Sequence, residues 1–276
     1  PANTMVSALS MSRTTTDSAR VAGALAGATL FTFFGMAPAY MIIVSFYVVG
    51  VLLMLGDTTP LRHVSLAMTP EEAAGKSPWR DLKEGIAHTW NTPVLLALVS
   101  LAFLTNLSAF PATTGLLPYV AKNIYQVDQT GLGFLVASFA GGALIGSIVL
   151  SNASSAWRLT RLMMVATVIW YLMLLAFAQM PSAHYGIPCL ILAGIAQSFS
   201  MVSLQIMLLR ESGERFRGRV MGVRMMAIYS LPLGLLASGP LIGWIGFRGT
   251  ASFYAIVGIV FTLIIALRWR KDLWRA

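Results

Sequence analysis

Long apolar runs separated by short polar segments dominate the sequence. A helix needs about 20 mostly apolar residues to cross roughly 30 Å of hydrocarbon, and the pattern predicts eight such helices. Their expected boundaries are 14–34, 37–55, 94–118, 130–151, 160–180, 185–209, 220–244 and 250–268. The first is the least convincing of these spans, because Asp17 and Arg20 lie in its opening turns. The pattern therefore predicts an all-α integral membrane protein.

The composition agrees with this interpretation. Of the 276 residues, 57% are hydrophobic and 11% are charged, whereas soluble domains carry about 25% charged residues. So few charges cannot cover a water-exposed globule of this size, which excludes a soluble enzyme and a disordered chain. The lone cysteine, Cys189, excludes a secreted disulfide scaffold.

The placement of the basic residues predicts the orientation in the membrane. Lys and Arg are concentrated in the cytoplasmic loops of membrane proteins. Seventeen of the 19 Lys and Arg fall on one side of the predicted topology, and only Lys122 and Arg248 fall on the other. We therefore expect an inner-membrane protein with both chain ends in the cytoplasm. The net charge of +9 then reflects orientation, and nucleic-acid binding is not expected.

The longest soluble segment, residues 56–93, contains a predicted amphipathic helix. Ser77 and Pro78 are suitable for its first turn. Apolar side chains then recur at helical spacing, at Trp79, Leu82, Ile86 and Trp90. Such a helix is expected to lie at the cytoplasmic membrane surface. It is compatible with a plain linker and with a regulatory or partner-binding segment.

The first two predicted spans resemble the last two. Matching segments are residues 22–27 with 238–243, and residues 35–40 with 249–254. A repeat unit of six spans explains the match, with two spans ending one unit and a complete unit following.

The repeat predicts three parts in the chain. Residues 1–55 would end an N-terminal helical bundle, residues 56–93 would be the linker, and residues 94–276 would form a complete C-terminal six-helix bundle. We also expect four further spans before Pro1 in the complete protein.

Three sequence features carry a family resemblance. Residues 217–222, Arg-Gly-Arg-Val-Met-Gly, follow Glu214 and precede the seventh predicted span. Gly23-x-x-x-Gly27 lies in the first span, and residues 81–85, Asp-Leu-Lys-Glu-Gly, precede the third. With the topology and the repeat, these features make the chain similar to the major facilitator superfamily, in its drug and siderophore efflux branch.

The resemblance implies a fold of two six-helix bundles, of which this chain would supply helices five to twelve. It also implies a secondary active transporter that exports a small hydrophobic or amphipathic molecule by alternating access. The alternatives are import of a small nutrient and, from another class, a non-transporting membrane scaffold or an intramembrane enzyme. The expected partners are a small-molecule substrate and the bilayer, with the complete protein monomeric.

Polar residues inside the spans are candidates for the substrate path, because polar groups in hydrocarbon are costly unless they pair or face a cavity. The amides of Asn106, Gln197 and Gln205 are the largest of these groups, and Thr114 and Tyr229 complete the predicted path. The alternative is that these side chains only bond between helices.

Charged residues of the cytoplasmic side form a second candidate group. We predict a latch at Glu214, Arg217, Gly218 and Arg219. Its arginines would bind carboxylates or helix C-terminal carbonyls in one state and release them in the other. An anchor that only fixes the orientation is the plainer alternative.

Small residues in two matching segments are predicted to let helices pack closely. They are Gly23, Gly27, Gly239, Pro240 and Gly243. The resemblance implies that they help to close the transport path.

Catalytic and metal-binding patterns are not expected. The three histidines and Cys189 are scattered without metal-ligand spacing, and no nucleophile triad or phosphate-binding loop occurs in the sequence. We therefore expect no cofactor, no metal and no enzyme. No carboxylate lies in the hydrophobic middle of a predicted span, so this chain offers no proton carrier.

Overall fold

The computed structural model describes residues 2–56, 78–151 and 158–273, and every long element in these ranges is a helix. The helices are α1 (Ala2–Phe34), α2 (Met36–Gly56), α3 (Pro78–Asn91), α4 (Pro93–Ser108), α5 (Gln129–Ser151), α6 (Leu159–Gln179), α7 (Ala183–Glu211), α8 (Gly213–Ile228), α9 (Ser230–Arg268) and α10 (Arg270–Leu273). The prediction of an all-helical protein is confirmed. Ser77, at the predicted start of the linker helix, lies outside the described residues, and so do residues 57–76 and 274–276.

Six helical segments of the described chain are long and apolar enough to cross a membrane. They are Met36–Leu55, Pro93–Gly115, Gln129–Ser151, Leu159–Gln179, Ala183–Glu211 and Gly213–Arg268. The last segment holds two predicted spans, separated at Gly246, where φ is +72°. The first predicted span lies in α1. Asp17 and Arg20 make this helix less apolar, and it is not among the six segments. The count of eight spans stays a prediction.

The segment after α4 departs from regular α-helix. Two π-helical turns, Pro111–Gly115 and Val120–Ile124, follow Ser108. Pro111 and Pro118 lack an N–H group, so regular α-helical hydrogen bonds cannot continue through them. Turns of this kind are frequent at functional sites.

Close helix contacts in the core occur at glycines. Helices α5 and α7 run in the same direction and meet at Gly142 and Gly194. An added Cβ at Gly142 would collide with the Ile191 carbonyl oxygen, and one at Gly194 with the Phe139 carbonyl oxygen. The absence of a side chain at these two positions therefore sets the separation of α5 and α7.

Helices α1 and α2 lie on one side of this core. Helix α1 packs along α5, and α2 packs mainly against α1. Helix α2 is strongly apolar, yet Phe46 and Leu53 are 72% and 70% exposed. A surface this apolar needs lipid or further helices around it.

Candidate functional site

An ion-pair cluster joins the linker helix α3 to α8. Arg219 donates from Nε and Nη2 to Asp81 Oδ1 at 3.0 and 2.6 Å. Its Nη1 lies 2.8 Å from Glu84 Oε2, and Arg80 pairs with the same carboxylate through Nε, 3.1 Å from Oε1. The Arg219 side chain is only 19% exposed, so salt and water screen this cluster less than a fully exposed pair.

Aromatic and small residues support the same contact. The His88 ring stacks on the Phe216 ring, with centroids 4.2 Å apart and an interplanar angle of 12°. Arg219 Cζ lies 5.4 Å from the Phe216 centroid, within the range of a cation–π interaction. At Gly85 an added Cβ would lie 3.0 Å from Arg219 Cβ. Separation of α3 from α8 would break the ring stack, the close approach at Gly85 and the ion pairs of Arg219 together.

The four predicted latch residues differ in their surroundings. Arg219 reaches carboxylates, whereas Glu214 and Gly218 are exposed. Arg217 is half-buried, and its Nε forms no hydrogen bond with the described residues. The two acidic partners on α3, Asp81 and Glu84, are not predicted by the sequence pattern. The signal for them was the spacing of three between Asp81 and Glu84, which places both carboxylates on one helix face.

Helix α3 turns a small and polar side toward α8 and its tryptophans away from it. Gly85 and Thr89 are buried, whereas Trp79 and Trp90 are 73% and 70% exposed. Exposed indoles on a helix of this kind are typical of a membrane interface.

The five predicted path residues do not form one cluster. Gln197 is fully buried in α7, and its amide forms no hydrogen bond with the described residues. Asn106 is 8% exposed and donates from Nδ2 to the carbonyl oxygen four residues earlier at 2.8 Å. Gln205 is half-buried, while Thr114 and Tyr229 are exposed.

Gln197 lies in a buried polar layer between α6 and α7. The hydroxyls of Thr167 and Ser200 are 2.6 Å apart, and because these helices run in opposite directions, Trp170 lies level with Gln197. The Trp170 indole N–H is likewise buried without a hydrogen bond to the described residues. Buried polar groups left unbonded cost about 1–3 kcal/mol each. Two polar groups of this layer are thus left without hydrogen bonds to the described residues in this conformation.

The glycine pair of α1 lies beside a cavity. In the first half of α1, Thr14 Oγ1 donates to Ser147 Oγ of α5 at 3.1 Å. Further along, a cavity of about 310 Å³ lies between the helices, lined by Gly23, Gly27, Phe31 and Leu132 among others. An added Cβ at either glycine would meet no atom of the described residues within 4 Å.

The matching glycines of α9 have similar surroundings. An added Cβ at Gly239 or Gly243 would also meet no atom of the described chain within 4 Å, and Pro240 is exposed. Close packing around these four glycines thus does not occur between the described helices in this conformation. Among the residues that the structure describes, no group of three His, Cys, Asp or Glu side chains is placed to hold a metal ion.

Apolar helices of membrane-spanning length, packed on one another and joined to a surface helix by an ion-pair cluster, define a multi-pass membrane protein. The sequence matches the Major Facilitator Superfamily over residues 4–231 and again over residues 112–274. The chain belongs to this family, as its sequence features indicate.

Known relatives include proteins named enterobactin exporter EntS. Examples come from Escherichia coli O1:K1 / APEC, Escherichia coli O139:H28 and Shigella boydii serotype 18. Each is 27% identical to this chain over 157 residues, which cover 57% of the chain and 37% of the exporter. The matched part thus spans well under half the length of these relatives. The family and these relatives indicate a transporter rather than a typical enzyme.

Proposed function

We propose that this chain belongs to a secondary active transporter that exports a small hydrophobic or amphipathic molecule, drug-like or siderophore-like, by alternating access. One observation carries the proposal, namely the family match along nearly the whole chain, with exporters among the relatives. Residues 112–231 fall in both matches. This overlap supports the internal repeat of a six-span unit.

The proposed layout has eight spans. Helices α1 and α2 end a first bundle, and the helices from α4 to α9 form the second, with both chain ends in the cytoplasm. The break at Gly246 supports two spans in the segment Gly213–Arg268. The exposed apolar surface of α2 supports further helices of the first bundle in the complete protein. We propose that the complete protein acts as a monomer and that no nucleic acid takes part.

In the proposed mechanism the described conformation is closed at the charge-rich end. Support comes from Arg219, which is bound to both carboxylates of α3, and from the contact of Thr14 with α5. At the opposite end, a cavity beside Gly23 and Gly27 lies between α1 and α5. When the transporter changes to the conformation that is open at the charge-rich end, we expect this cavity to close, because the glycines leave room for α1 to approach α5. We expect Arg219 to release Asp81 and Glu84 in the same change.

The proposed substrate path runs along α4, α7 and the junction of α8 with α9. Its residues are Asn106, Thr114, Gln197, Gln205 and Tyr229. Thr114 and Tyr229 are exposed in the described conformation, which supports contact with the substrate without movement of α6 and α7. The amide of Gln197 is buried and forms no hydrogen bond with the described residues. The substrate would reach it only after α6 and α7 move, and the amide could then form hydrogen bonds with the substrate.

Transport by the complete protein in inside-out membrane vesicles tests this function. Export from the cell corresponds to uptake into such vesicles. We expect ion-gradient-dependent accumulation of enterobactin or of an amphipathic drug, compared with vesicles that lack the protein. Uptake in right-side-out vesicles alone would show import. Equal permeation with and without the protein, for every compound offered, would support a non-transporting scaffold instead.

A further inference from the structure

A large apolar cleft opens between α4, α8, α9 and the linker helix α3. Its volume is about 810 Å³. The walls are aliphatic and aromatic, with Phe103, Met226 and Phe261 among them, and Ser100 supplies the one hydroxyl of the lining. A cleft of this composition favours hydrocarbon over any polar ligand.

The length of the cleft matches one leaflet of a bilayer. Beside α9 the lining extends from Val257 to Trp269, the residue after the helix ends, and these twelve helical steps rise about 18 Å. Half of the hydrocarbon core of a bilayer is about 15 Å thick. An acyl chain that enters at Trp269 would therefore end near the bilayer centre.

The end of the cleft at Trp269 is basic. Arg268 Cζ lies 5.8 Å from the Trp269 ring centroid, and Arg270 and Lys271 follow on α10, both exposed. In the sequence, Asp272 is the one carboxylate beside these three cations. The two carboxylates of α3 already hold an arginine. This end of the cleft is thus suited to an anionic head group.

The linker helix lies at the same end of the cleft. Ile86 belongs to the lining, and Trp79, Lys83 and Trp90, which share its face by helical spacing, are exposed. Tryptophan and lysine side chains are typical of the head-group level of a membrane. A lipid in the cleft would therefore meet α3 where its head group leaves the hydrocarbon.

We propose that this cleft binds an anionic phospholipid from the leaflet on the charge-rich side of the protein. An acyl chain lies along α9, and the phosphate lies beside Arg270 and Lys271. Its lining shares no residue with the proposed substrate path, and the site does not depend on what is transported. Such a lipid contacts both α3 and α8, the helices that Arg219 joins, and it favours the conformation in which they stay together.

Lipid titration of the complete protein, followed by native mass spectrometry, tests the head-group end. The probes are phosphatidylglycerol and phosphatidylcholine with identical acyl chains. The double variant Arg270→Gln/Lys271→Gln should bind phosphatidylglycerol about tenfold more weakly, because it loses two cations that attract the anionic head group. The matched variant Arg158→Gln/Arg210→Gln removes two exposed cations elsewhere and should bind it as the wild type does.

A second pair of variants tests the apolar part. Ile264 and Ile256 both lie on α9 and are similarly exposed, at 49% and 52%. Ile264 belongs to the cleft lining, whereas Ile256 does not. Ile264→Trp should weaken binding of both lipids, because the indole fills the cleft, whereas Ile256→Trp should not. The charge variants alter only exposed side chains, so they test the site even where a cleft variant fails to fold.

Two results would overturn the site. The first is phosphatidylglycerol binding that is equally strong in both double charge variants. The second is a folded Ile264→Trp protein that binds both lipids as Ile256→Trp does.

Discussion

Arg219 connects two elements that the sequence presents as separate, the linker helix and the arginine-rich segment. Its guanidinium binds both Asp81 and Glu84, and its Cβ lies close to Gly85. Hydrogen bonds to charged groups contribute about 1.5–3 kcal/mol, and the 37% exposure of both carboxylates lowers this contribution here. A contact of this size holds two helices together and can still be broken within a transport cycle.

Replacement of Arg219 by alanine should uncouple α3 from α8. We expect transport to slow about tenfold, equivalent to about 1.4 kcal/mol, with unchanged membrane insertion. Asp81→Asn should act in the same direction, and the double variant should lose little more, because both residues act through one contact. Transport rates of the four proteins test this. Arg215→Ala, at an exposed position on the same helix, is the control, and fully additive losses would contradict the contact.

The buried amide of Gln197 gives a second prediction at the residue scale. Gln197→Leu should raise the free energy of unfolding by about 1–2 kcal/mol, because an unbonded buried amide is replaced by an apolar group of similar size. If the amide serves the substrate path, transport falls at the same time. Thermal unfolding and transport assays on one preparation measure both. Lower stability in the variant would mean that the amide is already bonded in the folded protein.

At the scale of elements, helices α1 and α5 form a pair whose two ends differ. Near Thr14 they are joined by a hydroxyl hydrogen bond, and near Gly23 and Gly27 a cavity of about 310 Å³ lies between them. Glycine backbones could approach more closely than this. The proposed closure of this end therefore explains why the two glycines touch no described residue in the present conformation.

A bulky side chain at Gly27 should hold this end open. Gly27→Leu would extend into the cavity, so we expect a protein that folds normally and transports at least about tenfold more slowly. Gly50→Leu, on α2, is the matched control, since an added Cβ there also meets no atom of the described residues within 4 Å. Melting temperatures and transport rates measure both effects. Equal transport by the two variants would contradict a closure at Gly27.

Helix boundaries can be predicted from the sequence where they depend on the length of one apolar run. Helix α5 was expected over 130–151 and spans Gln129–Ser151, and α6 was expected over 160–180 and spans Leu159–Gln179. Contacts between distant segments were harder to predict. The acidic partners of Arg219 lie 138 and 135 positions away, and only the packing of α3 on α8 brings them together. The same holds for the tightly packed glycines Gly142 and Gly194. Their close contacts depend on which helix faces each of them, and the local sequence does not specify that helix.

At the scale of the whole molecule, the uneven distribution of cations predicts which side faces the cytoplasm. Single cysteines introduced after Cys189→Ser can report the orientation. A membrane-impermeant maleimide applied to intact cells should label Lys122→Cys and should not label Lys271→Cys, because the cation-rich side stays in the cytoplasm. Both positions are exposed, so permeabilised cells should label both. The reverse pattern in intact cells would contradict the orientation.

The central claim is that this protein exposes a path alternately to the two sides of the membrane. Spin-label distances across α1 and α5 in the complete protein test it most directly. One pair, at Phe33 and Phe134, reports the cavity end, and the other, at Ser18 and Val149, reports the charge-rich end; all four positions are exposed. With substrate and an ion gradient, the first distance should shorten while the second lengthens. Distances that both stay constant, or that change in the same direction during transport, would contradict alternating access.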